Sequence, residues 1–167
     1  MRLILTFLAA ASLYSPRATV VAPQRNPVFG GTIVRVIEGD TIRISLNNPQ
    51  GVSLCTEVTV RLWGVDSPEV GRFFGDKAKK RVNEVVLDRY AVVEYHGLDE
   101  LGRVRGEVYV NDTVFKKQIC LNEFVLQEGL ARLNKPSGNP DFRTLEERLR
   151  RAENAARAAK LGIWSKP

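Results

Sequence analysis

Two short runs of residues constrain this chain more than any other feature. Ile42, Ile44 and Leu46 alternate with Arg43 and Ser45, and Val58, Val60 and Leu62 alternate with Thr59 and Arg61. Side chains point to opposite faces along a strand, so each run has an apolar side and a polar side and suits a half-buried sheet. The segment Asn47-Asn-Pro-Gln-Gly51 between them reads as a hairpin loop. This pairing puts the aliphatics on one sheet face and Arg61 on the other. The β-branched run Gly31–Ile37 is a further strand, ended by the turn signal Glu38-Gly39-Asp40. Ala91–Tyr95 and Arg105–Val110 read as two more.

Helical spacing appears in three places. Asp76 is the expected cap of a helix on which Ala78, Val82, Val85 and Val86 recur. A second helix runs near Leu121–Gln127 and stops around Gly129. The third carries Leu145, Leu149, Ala152, Ala156 and Ala159 and ends at Gly162. Pro136-Ser-Gly-Asn-Pro140 is a loop, because two prolines and a glycine in five residues end any regular element. The order is three strands, a helix, two strands and two helices. That order predicts an α+β fold, mainly β, in which five strands close an oligonucleotide/oligosaccharide-binding (OB-fold) barrel with three helices.

Composition narrows the chemistry. The 167 residues carry a formal charge of +6, a sign that favours polyanions. One histidine, His96, and two cysteines, Cys55 and Cys120, exclude a zinc finger, a His-rich zinc site, a hydrolase needing paired histidines and a disulfide-dense scaffold. Any metal chemistry must use oxygen ligands. Met1-Arg2 followed by the mostly apolar Leu3–Leu13 fits the charged and apolar regions of a secretory leader, and is shorter than the about 20 residues that span a bilayer. Residues 1–18 therefore read as a signal peptide or N-terminal anchor, the alternative being an apolar first element of the fold. Residues 19–29 read as a proline-containing linker, and 30–167 as the folded domain. The implied location is outside the cytoplasm: secreted, periplasmic or held at the membrane by an uncleaved leader. In an oxidising compartment Cys55 and Cys120 could pair.

Two acidic clusters lie at strand ends, Glu38-Gly39-Asp40-Thr41 and Asp66-Ser67-Pro68-Glu69. Alone, each is ordinary turn punctuation. Brought together by the barrel, they offer oxygen donors for a hard cation such as Ca²⁺ or Mg²⁺. Arg61 lies five residues before Asp66, and Arg103 follows Asp99-Glu100-Leu101-Gly102. A guanidinium fork fits two phosphate oxygens, so two arginines beside a cation site and a spare carboxylate can stabilise a phosphodiester under in-line attack. Arg105, Arg148 and Arg151 read as solvated surface groups. So does the mixed charged face of the last helix. Trp63 and Trp164 read as core or docking residues, and His96 as a strand-end polar residue without a metal role.

Five segments in order carry a resemblance: Val36-Ile-Glu-Gly-Asp-Thr41, Val60-Arg-Leu-Trp-Gly-Val-Asp-Ser-Pro-Glu69, Leu101-Gly-Arg103, Asn122-Glu-Phe-Val-Leu-Gln-Glu-Gly-Leu-Ala131 and Leu161-Gly-Ile-Trp164. From about Gly31 to Trp164 the chain resembles the staphylococcal nuclease (thermonuclease) family. The resemblance implies a Ca²⁺-dependent endonuclease acting on DNA or RNA and leaving 3′-phosphate ends. By position, Asp40 and Asp66 match the metal carboxylates and Ser67 a backbone carbonyl ligand. Glu69 matches the carboxylate that activates or orients water, and Arg61 and Arg103 match the phosphate-binding arginines. Glu38 stands where aspartate is common and would act through a metal-bound water. The chain departs from the pattern at Leu101, where the best-known member has a nucleotide-contacting tyrosine, and at Asn134-Lys-Pro136, which lacks expected tyrosines. The loop from Val70 to Gly75 is shorter and the hairpin around Asn47–Cys55 longer. The alternative is a non-catalytic nucleic-acid-binding OB-fold module, and a third reading is an oligosaccharide- or protein-binding barrel. No obligate protein partner is expected, and a monomer suffices.

Overall fold

The computed structural model describes residues 26–47, 53–112, 117–134 and 139–165. The leader, the tip of the 48–52 hairpin and residues 135–138 lie outside them. Within the described residues the alternating runs form the expected hairpin: β1 (Val28–Glu38), β2 (Thr41–Asn47) and β3 (Ser53–Leu62) are antiparallel neighbours. A two-residue strand, β4 (Val65–Asp66), precedes helix α1 (Gly75–Val86). Strands β5 (Tyr90–Leu98) and β6 (Val104–Asp112) follow, then β7 (Lys117–Cys120) and helix α2 (Leu121–Gln127). Strand β8 (Arg132–Leu133) pairs with β4, and helix α3 (Arg143–Ala158) lies between two single 3₁₀ turns.

The barrel closes because β1 and β3 each serve two neighbours. Strand β1 pairs with β5 from Val28 to Thr32 and with β2 from Gly31 onward, through register shifts at Ile33/Arg35 and Val36/Glu38. Such irregularities bend a strand and increase its twist, as a small barrel requires. At the changeover a Cβ on Gly31 would lie 2.1 Å from the Ser45 carbonyl oxygen, so only glycine fits there. Strand β3 closes the circuit by pairing in parallel with β6, Arg61 opposite Arg105 and Leu62 opposite Gly106. The result is the five-stranded OB-fold barrel, β3-β2-β1-β5-β6, with β7 added outside β6.

Ile33, Ile42, Ile44, Val60, Val93 and Val108 fill the interior with no exposed surface. Helix α1 covers it with Ala78, Val82 and Val86, and α2 and α3 add Leu121, Val125 and Leu149. Asn122, also fully buried, donates to the carbonyls of Trp63 and Gly106 at 3.0 and 3.2 Å and accepts from the Val108 N–H at 2.9 Å. Those bonds fasten α2 to the end of β6 where the barrel closes. Trp63 is a core residue, its ring 4.7 Å from Phe142.

Several details differ from the sequence expectations. Strand β1 begins at Val28 rather than near Gly30, and the Pro27 carbonyl already accepts from Tyr95 N–H. Asp76 does not cap α1. Phe74 holds that position with φ 69°, and Asp76 sits in the first turn, where its carboxylate accepts from Gly71 N–H at 3.3 Å. The cause is a tight approach: a Cβ on Gly75 would lie 1.9 Å from the Glu69 carbonyl oxygen, so the chain enters the helix through a left-handed residue. Cys120 is a free thiol and donates to Glu107 at 3.6 Å; burial, the largest influence on it, pushes it up to about 12. No helix among the described residues is long and apolar enough to cross a membrane.

Candidate active site

Asp40 occupies the tight turn between β1 and β2 and is 1% exposed. Its backbone carbonyl accepts from Leu62 N–H at 2.8 Å, which brings the turn against the end of β3. One carboxylate oxygen accepts from the Thr41 hydroxyl at 2.8 Å and the other from Ser67 N–H at 2.9 Å. The register of Arg61 opposite Thr41 then sets its guanidinium beside Asp40. Nη2 of Arg61 lies 3.2 Å from Asp40 and 2.7 Å from Asp66, so one nitrogen spans both carboxylates. The two acidic clusters, far apart in sequence, meet as the strand pattern predicted.

Asp66 is held from behind. Its strand β4 pairs with β8, whose Leu133 N–H donates to the buried Glu153 of α3 at 2.9 Å, and Asn134 N–H donates to Gly64 at 2.9 Å. Ser67 donates its hydroxyl to the Leu130 carbonyl at 3.1 Å. A Cβ on Gly39 would lie 2.2 Å from the Ser67 hydroxyl oxygen, so a side chain there would push the two turns apart. Glu38 closes β1 opposite Thr41. Glu69 stands on the open loop and takes Arg72 as partner at 3.0 Å, outside the Asp40–Arg61–Asp66 cluster.

Arg103 approaches from the β5–β6 turn. Its Nε donates to Asp99 at 2.6 Å, while Asp99 also accepts the backbone N–H groups of Leu101 and Arg103 at 2.9 Å each. Burial works against the charge on Asp99, but the Arg103 backbone, the Arg103 side chain and the Leu101 N–H outweigh it and hold the carboxyl below its usual value. A groove of about 590 Å³ contains Arg61, Arg103 and Arg105 together with Leu98, Leu101 and Asn134. Arg105, read from sequence as a solvated group, belongs in it: parallel pairing sets it opposite Arg61, and among the described residues its side chain has no hydrogen bond or ion pair. Its spacing of two from Arg103 is the signal that could have found it. Asp99, the anchor of Arg103, was visible only as part of a turn.

Arg148 is also not a solvated group. Its Nε donates to Glu123 at 2.5 Å and its Nη2 reaches the buried Glu107 at 3.0 Å, with the Tyr109 hydroxyl donating to the same Glu107 oxygen. Burial and that bond raise the Tyr109 pKa. His96 lies against the Trp63 and Phe142 rings at 5.9 and 5.0 Å, accepts from Asn26 at 3.0 Å, and has its pKa lowered chiefly by burial.

Among the described residues no three His, Cys, Asp or Glu side chains converge on a point. What converges is a pair of carboxylates, Asp40 and Asp66, on the Arg61 guanidinium, and carboxylate oxygens are donors of the hard kind that suits a cation keeping several waters.

A family model described as "Staphylococcal nuclease homologue" matches residues 59–166. The chain is 32% identical over 165 residues to "Micrococcal nuclease" from Shigella flexneri, covering 95% of this chain and 88% of that one. It is 30% identical over 162 residues to "Protein ParB" from Escherichia coli, covering 95% and 84%. It is 28% identical over 132 residues to "Probable endonuclease LCL3" from Phaeosphaeria nodorum, covering 75% and 44%. With the barrel and these matches together, the chain belongs to the staphylococcal nuclease family.

Proposed function

We propose that this nuclease is a Ca²⁺-dependent endonuclease that hydrolyses internal phosphodiester bonds of DNA or RNA and leaves 3′-phosphate ends. The observation that supports it most strongly is the Arg61 guanidinium bridging Asp40 and Asp66 at the edge of a groove that also holds Arg103. In this reading Asp40, Asp66 and the Ser67 carbonyl hold the cation, with Glu38 reaching it through water. Bound Ca²⁺ supplies positive charge to the phosphoryl oxygens as negative charge builds on them.

The chain's own residues do the rest. Arg61 and Arg103 donate to the non-bridging oxygens of the scissile phosphate, and those charge-assisted bonds strengthen on the way to the transition state. Glu69 leaves Arg72, takes the proton of the attacking water and so directs it in line with the bond to O5′. Expulsion of O5′, which takes up a proton from solvent water, leaves the phosphate on the 3′ side. Every group named comes from one chain, so a monomer suffices. The apolar run Leu3–Leu13 supports export.

Incubating the protein with plasmid, with Ca²⁺ or with a chelator, tests the proposal. Fragmentation that requires Ca²⁺ and yields 3′-phosphate ends is expected. A gel shift without cleavage would favour the non-catalytic binding module, and neither effect would favour a barrel for another ligand.

A further inference from the structure

The departures at Leu101 and Asn134 leave the arginine groove without an aromatic ring for a base. A second cleft, of about 690 Å³, opens on the other side of the β4–β8 ribbon, between the loop after Asp66 and the C-terminal turn. Asp66, Ser67, Arg72, Phe73, Arg132 and Ile163 line it. It shares no lining residue with the arginine groove, and the Arg61–Asp66 ion pair stands at the boundary between the two. Phe73 is 71% exposed, an unusual cost for a phenylalanine. The left-handed Phe74 explains how: of two adjacent rings, Phe74 packs against the core and Phe73 is left in the open.

We propose that this cleft is a second nucleotide subsite, in which Phe73 stacks on a base of a single-stranded segment while Arg132 and Arg72 draw in its phosphates. It deepens the nuclease reading and rests on it for the position of the scissile phosphate between the two clefts. Charge and continuity select the occupant. Arg72, paired with Glu69, and Arg132, over the Trp164 ring, line the same cleft as Phe73, and cations beside an aromatic ring bind single strands without reading sequence; the cleft begins at Asp66 of the proposed catalytic cluster. A stacked duplex base has no open face for the ring, so the subsite favours unpaired substrate. A strand seated in both clefts is cut internally rather than from an end.

The test uses the full chain and two variants. Phe73→Ala is expected to raise KM about tenfold for a single-stranded oligonucleotide, to leave kcat within about twofold, and to change KM little for the same sequence as a duplex. Phe73→Trp retains a stacking ring, so its KM on single strands stays near the parent value. With chelator present to prevent cleavage, the added indole fluorescence of Phe73→Trp falls as oligonucleotide is titrated in. An unquenched signal from that added indole, or a Phe73→Ala variant with unchanged single-strand KM, would overturn the subsite. Failure of the parent protein to cleave would strike the nuclease reading alone, because the fluorescence titration decides the subsite without turnover.

Discussion

Arg61 and Arg148 each bridge two carboxylates, and they serve opposite ends. Arg61 joins Asp40 to Asp66, and Arg148 joins Glu107 to Glu123. Around Arg148 the acids come from β6 and α2 and the base from α3. The Glu107 side chain is 6% exposed, and a tyrosine hydroxyl and a thiol share its oxygen. That set ties three elements together around a buried carboxylate, with Arg148 and Glu123 at its outer edge. Around Arg61 the Asp66 side chain is 61% exposed, and the guanidinium faces a groove. An ion pair that lines a groove beside further arginines can exchange its partner for a ligand, whereas one whose buried acid already carries a hydroxyl and a thiol holds the fold. The surroundings, not the residue type, separate the two roles.

Four substitutions sharpen that contrast. Asp40→Asn keeps an oxygen for the Ser67 N–H but removes a charged ligand. Its rate at sub-saturating Ca²⁺ should fall by about a hundredfold or more and recover in part at high Ca²⁺, read as a calcium titration of initial rate. Arg148→Ala should leave kcat intact and lower unfolding stability by about 2 kcal/mol, less than a fully buried pair because Arg148 is a third open to water; denaturant titration measures it. Arg105→Ala should raise KM a few-fold and reduce the salt dependence of binding by about one phosphate contact, with stability unchanged.

The smallest effect is His96→Gln. Burial depresses the folded pKa of His96 below 6.5, so the unfolded chain binds more protons once the pH falls beneath that value. The native protein should therefore lose stability from pH 6.5 downward, and the variant should lose less. Urea midpoints of both proteins across that range check the sign.

The residues in periodic elements were legible, and the others were not. Ile42, Ile44, Val58 and Val60 announce a half-buried hairpin, and the turns holding Asp40 and Asp66 follow from where those strands stop. Strands β4 and β8 are two residues long and carry no period; they exist because Glu153 and Gly64 accept the N–H groups of Leu133 and Asn134. Asp76 has the local chemistry of a cap, but the contact between Gly75 and the Glu69 carbonyl moved the helix start past it. Arg148 could not be told from its neighbours on α3, since its partners lie 25 residues or more away in sequence. Arg105 gains its meaning from parallel closure of β3 on β6, which no local pattern encodes.

The central claim is that the Arg61 set is the open one, built to stabilise a phosphoryl group in reaction. Turnover of Arg61→Ala on a defined oligonucleotide, in protein shown to unfold within about 1 kcal/mol of the parent, tests it most directly. The account expects kcat to fall by about 10³- to 10⁵-fold at saturating Ca²⁺, with a much smaller change in KM. A folded Arg61→Ala protein that turns over at the parent rate would contradict it.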